Sequence, residues 1–140
     1  MNRQSILRVV SKLLLPYILL FALYVQFHGD YGPGGGFQAG VIFAAGCILY
    51  ALVFGIGPAM RALPIGTIER FASLGVLLYA GVGIAAMLRG GAFLEYGALE
   101  HDPVHGQHHG LLLIEAGVGL TVACVMISIF FAFAARRRPQ

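Results

Sequence analysis

Apolar residues run along this chain in four long blocks, Val9 to Phe27, Phe37 to Gly57, Phe71 to Leu88 and Leu111 to Ala135, separated by short polar or glycine-rich connections. A bilayer core takes about 20 apolar residues in helical form, with roughly 17 to 25 tolerated, and each block has that length. The pattern predicts an all-α membrane protein with four transmembrane helices, a single membrane domain over residues 1–140 and an outer connection at 89–110. Lys12 and Pro16 do not interrupt the first block. A lysine near the end of a span lifts its ammonium toward the headgroups, and a proline there removes one backbone donor or kinks the helix. Tyr24, Val25, Gln26 and Phe27 are too bulky for a small-residue cleavage site, so this block is expected to persist as a helix.

Composition supports the same reading. Hydrophobic residues make up 59% and charged residues only 11%, against roughly 25% charged in a soluble domain, and the mean hydropathy is +0.83. Disorder is excluded, because a disordered segment needs low hydrophobicity and many charges. No charge falls between Lys12 and Asp30, between Asp30 and Arg61, or between Arg70 and Arg89. Cys47 and Cys124 lie in mid-block, so no disulfide framework is implied.

The net charge of +3 does not point to nucleic acid, since the cations cluster at the ends of the apolar blocks. Arg3, Arg8, Lys12, Arg61, Arg70, Arg136, Arg137 and Arg138 fall on one side of a four-span topology and Arg89 alone on the other. By the positive-inside rule both termini are cytoplasmic. Asp30, Glu95, Glu100 and Asp102 then face outward, Glu69 inward, and Glu115 lies within the fourth span.

The first outer loop carries five glycines in the stretch from His28 to Gly36 and continues as Phe37-Gln38-Ala39-Gly40. Such a segment bends sharply and lets other backbones approach closely. Gly34 to Gly36 would expose backbone N–H groups at a helix start, which favours an anion. Gly36 and Gly40 would form a small-xxx-small face for helix contact, the commoner use of such spacing in membranes. No Gly-Lys-Ser/Thr follows, so this is not a phosphate loop.

Glu115 is the one acid inside an apolar block. If the fourth helix starts near Leu111, Glu115 lies about 6 Å along it, in the outer third of the membrane. An intramembrane acid is by default a functional site, here a proton or cation relay; a pair with Arg89 at the outer end of the third span is the structural alternative. Ahead of it, His101, His105, His108 and His109 cluster with Asp102. Histidines titrate near neutrality, which suits a proton entry region. A zinc site would need three or four convergent ligands, and Pro103 and Gly106 weaken the helix that would gather them. Glu115, His108, His109 and Asp30 are therefore the candidates for an ion or proton path, and no metal or cofactor is expected.

Catalytic motifs are missing: there is no Gly-x-Ser-x-Gly, His-Glu-x-x-His or Cys-x-x-Cys. The methionines and phenylalanines read as packing or lipid-facing groups. Gly75, Gly81, Gly83, Gly117 and Gly119 add small residues to the third and fourth spans, more than a lone four-helix bundle needs, and point to packing against helices of other subunits.

Pro33-Gly34-Gly35-Gly36-Phe37-Gln38-Ala39-Gly40, followed at the expected distance by Leu113-Ile114-Glu115-Ala116-Gly117-Val118-Gly119, resembles the small B subunit of the multisubunit Mrp-type (Mnh or Sha) Na+/H+ antiporters over nearly the whole chain. The resemblance implies an accessory subunit of a hetero-oligomeric complex in a prokaryotic plasma membrane, related to the membrane arm of respiratory complex I. Its partners would be the other subunits, Na+, H+ and the lipid bilayer. The large antiporter-like subunits of that family carry the main proton channels, so this chain would shape an interface or a side branch of the ion path, with Pro33 to Gly40 as its structural motif. Three alternatives stay open: a sodium-module subunit of a membrane-bound hydrogenase-type complex, a pure structural scaffold, and a metal-dependent membrane hydrolase built on the outer histidines.

Overall fold

A computed structural model describes residues 3–29, 31–99 and 103–136. Five α-helices follow in order: α1 (Arg3–His28), α2 (Gly36–Phe54), α3 (Ile56–Ala62), α4 (Ile65–Leu88) and α5 (Pro103–Arg136), with one 3-10 turn at Tyr96–Ala98. Four of them, all but α3, are long and apolar enough to cross a membrane.

Local chemistry explains the helix ends. The residues after α1 turn back through Tyr31 N–H to the His28 carbonyl (3.0 Å) and Gly35 N–H to the Val25 carbonyl (3.2 Å). Gly35 has φ +119°, a conformation L side chains rarely adopt, and it caps the start of α2. The apolar block expected to run to Gly57 breaks at Gly55, again with positive φ, and the chain continues as the short helix α3. Pro58 is tolerated there because it lies in the first turn of α3, where an N–H has no intrahelical acceptor. Pro64 adopts an extended conformation and opens α4, which starts earlier than hydropathy alone suggests. Likewise α5 begins at Pro103, not near Leu111, so the prolyl ring initiates the helix that its sequence position was expected to weaken.

Helix α5 is the centre of the bundle: α2 and α4 make their principal contacts with it, while α1 packs on α2. Lipid removes most of the hydrophobic drive between helices, leaving close packing and interhelical hydrogen bonds to hold them. Small residues supply the closeness. A β-carbon on Gly40 would lie 2.6 Å from the Gly119 carbonyl, and one on Gly75 would lie 2.6 Å from the Gly117 carbonyl. Thr121 reinforces the second crossing, its hydroxyl donating to Gly117 O (2.9 Å) in its own helix and to Ala72 O (3.4 Å) across to α4.

An apolar cluster of Ala44, Ala51, Ala59, Ile68, Cys124, Ile127 and Phe131 lies at the α3 end of the bundle, with Cys47 against it. Both cysteines are free thiols in this packing. Large apolar side chains such as Leu13, Tyr17, Leu77 and Phe133 remain exposed, as lipid-facing or subunit-facing groups do.

Candidate functional site

Helix α5 carries Glu115 to the glycine corner between α1 and α2. From Glu115 to Arg136 the helix rises roughly 31 Å, about the thickness of the hydrocarbon core, so this part of α5 alone is long enough to cross a membrane. At the level of Glu115 the backbone of α2 begins. A β-carbon on Gly36 would collide with the Glu115 carbonyl, and Gly36 and Gly119 approach just as closely, a β-carbon on Gly119 lying 2.9 Å from the Gly36 carbonyl. The expected small-residue face of Gly36 and Gly40 is thus the α2 side of the α2–α5 crossing.

The carboxylate turns toward the corner itself. A β-carbon on Gly29 would lie 2.7 Å from Glu115 Oε2 and 3.0 Å from Oε1, and one on Gly35 would lie 3.1 Å from Oε1. Side chains at either position would therefore press on the acid. The carboxylate stands at the N-terminus of α2, where the first N–H groups have no intrahelical acceptor and the helix dipole is positive, an arrangement that favours a negative charge. The glycine segment thus places the Glu115 side chain beside the start of α2 and the Gly36–Gly40 face against α5.

Of the remaining motif residues, Gly34 lies under the end of α1, where a β-carbon would be 2.8 Å from Val25 O. Pro33, Phe37 and Gln38 are exposed. Asp30, His101 and Asp102 lie outside the described residues. His105, His108 and His109 are exposed on the first turns of α5, and the His108 and His109 rings are 5.8 Å apart. His108 shares the helix face of Glu115, two turns and roughly 10 Å further out along the axis. Arg89 has a use in the outer connection: its guanidinium donates to the Leu99 carbonyl. Next to it the Glu95 carboxylate accepts from Ala92 N–H at 2.7 Å. Phe93 folds its ring onto Gly83 of α4, and Tyr96 packs on Gly110 of α5, so residues 89–99 form a fitted cover over this end of the bundle.

Two side chains at the site are not among the sequence candidates. His28 stacks on Tyr24 (centroids 5.1 Å apart, planes at 17°) and neighbours Tyr31 across the corner. Gln26 lies one turn inside the corner, with its Oε1 against Gly119 and its Nε2 buried without a hydrogen-bond partner among the described residues. A lone amide in an otherwise apolar stretch of α1 was the available signal for Gln26.

The arrangement thus joins a glycine corner, an acid at its centre and glycine contacts along α2 and α5. Residues 6–128 match the family model described as a domain related to the MnhB subunit of Na+/H+ antiporter. The chain belongs to the MnhB family. It is 35% identical over 130 residues to the antiporter subunit mnhB2 of Staphylococcus haemolyticus, covering 91% of this chain and 92% of that protein. It is 33% identical over 135 residues to the Staphylococcus aureus (strain Newman) protein of the same name, covering 94% of this chain and 95% of that protein. For an MnhB-family chain with four membrane-crossing helices, a multi-pass position in a prokaryotic plasma membrane follows.

Proposed function

We propose that this MnhB-family chain is an accessory subunit of a multisubunit Na+/H+ antiporter, built into the complex through its glycine-lined helices. It carries an acid site at its outer corner and has no catalytic turnover of its own. The observation that carries the reading is the position of Glu115: a carboxylate beside the start of α2, admitted by Gly29 and Gly35. A chain that needed only packing at this crossing would be served by a small apolar residue at position 115. An acid there costs insertion free energy unless hydration or polar partners offset it, and a protonatable group facing the outer surface suits exchange of protons or Na+. The cation distribution supports cytoplasmic termini, which puts the corner and the histidine-bearing start of α5 outside. His108 and His109 then stand on the approach to Glu115 from that side, and Asp30 belongs to the same corner by sequence.

The scaffold reading has its own support in the glycine crossings of α5 with α2 and α4. Sodium-dependent proton flux in inverted vesicles, normalised to the amount of assembled complex, separates the two for the Glu115→Gln variant. Lost flux with assembly intact supports the acid site. Unchanged flux leaves the chain as scaffold, and lost assembly makes Glu115 a structural group.

A further inference from the structure

Below the glycine corner, Glu115, Gln26 and an apolar cavity lie in line. Glu115 and Gly119 are one turn apart on the same face of α5, roughly 6 Å along the axis. Gly29, against the Glu115 carboxylate, is likewise about one turn from Gln26 on α1, and Gln26 Oε1 is 2.6 Å from the point where Gly119 would carry a β-carbon. Beyond Gln26 opens a cavity of about 470 Å³ bounded by Ala39, Gly40, Phe43, Gly119 and Ile127, with Gln26 in its wall. The amide therefore stands between the acid and the cavity.

Its bonding is incomplete. Among the described residues Gln26 Nε2 is buried with no hydrogen-bond partner, and leaving a buried donor unsatisfied is strongly unfavourable compared with the same group bonded to water or protein. A structural amide would be expected to bond a neighbouring carbonyl, or to be replaced by leucine or methionine, which fill the same volume. The cavity wall is mostly apolar, whereas the seam toward Glu115 offers a carboxylate about one turn away.

We propose that Gln26 is a positioning residue for Glu115, whose amide holds a water on the inner side of the carboxylate and so links the acid to the cavity. The inference rests on Glu115 being an ion-path residue. Gln26 itself exchanges no proton; it holds the water through which Glu115 does.

The test uses the assembled complex with Gln26→Leu, Gln26→Asn and Glu115→Gln. Flux per complex is expected to fall about ten-fold in Gln26→Leu, the scale of one lost hydrogen bond at a rate-determining step, and to recover in part in Gln26→Asn, which keeps the amide. A second measurement does not depend on Gln26→Leu assembling: with Cys47 and Cys124 replaced by alanine, Gln26→Cys in the complex is expected to react with a water-soluble methanethiosulfonate. Wild-type flux in Gln26→Leu, equal loss in Gln26→Leu and Gln26→Asn, or an unreactive Gln26→Cys would each overturn the proposal. If Glu115→Gln keeps full flux, the acid-site reading fails first; if it loses flux while Gln26→Leu does not, only the role of Gln26 fails.

Discussion

The Glu115 carboxylate occupies the space that a side chain at Gly29 would fill: a β-carbon there would lie 2.7 Å from Oε2. One acid on α5 and one glycine in the turn after α1, far apart in the sequence, thereby define the corner. The same carboxylate lies 3.1 Å from the β-carbon position of Gly35, whose φ of +119° also demands glycine.

Among the described glycines, Gly36 leaves the least room for a side chain: a β-carbon there would overlap the Glu115 carbonyl, so Gly36→Ala must push α2 off α5, and overpacking of this kind costs about 1–3 kcal/mol. Gly66→Ala and Gly81→Ala place their methyl groups in open space. The yield and thermal stability of the detergent-purified complex are expected to drop for Gly36→Ala and to stay at wild-type levels for the other two.

At the α4–α5 crossing, Thr121→Val removes the hydroxyl that reaches Ala72 O while keeping the shape. Interhelical hydrogen bonds in membranes contribute about 0.6 kcal/mol, up to roughly 1.7. Gly75→Ala would drive a methyl group into Thr121 and the Gly117 carbonyl. Thermal unfolding of the complex should therefore register a small loss for Thr121→Val and a much larger one for Gly75→Ala; the reverse order would mean that the hydroxyl, not the close approach, holds α4 to α5.

The cover formed by residues 89–99 depends on Phe93 seated on Gly83. Gly83→Ala collides with that ring and should unseat residues 89–99. Limited proteolysis applied from outside to intact cells is expected to cut this connection faster in Gly83→Ala than in wild type. Cleavage only in inverted vesicles would reverse the orientation argued from the cations.

The sequence carried the large features because they follow from composition along short windows. Four apolar blocks, the run Gly34 to Gly36 and the single intramembrane acid Glu115 are all visible without a structure. Helix ends were less legible. Hydropathy does not register Gly55, which turns α2 into α3 through positive φ, and it understates α5, because Pro103 and the polar first turns are helical although they are not apolar. Gly36 and Gly40 signalled a contact face in the sequence, but which helix meets it was not legible. Nothing near Gly29 in the sequence announces Glu115, nothing near Gly83 announces Phe93, and Gln26 becomes notable only when Gly119 is seen to close over it.

The central claim is that the corner is glycine at position 29 in order to admit the Glu115 carboxylate, and a double-mutant cycle on complex assembly tests it most directly. The amount of assembled complex would be measured for Gly29→Ala, Glu115→Ala and the pair together. The account predicts that Gly29→Ala lowers assembly in the wild-type background and has little further effect once Glu115 is alanine, a coupling of the 0.5–3 kcal/mol scale found for residues in contact. Equal losses from Gly29→Ala in both backgrounds would contradict it.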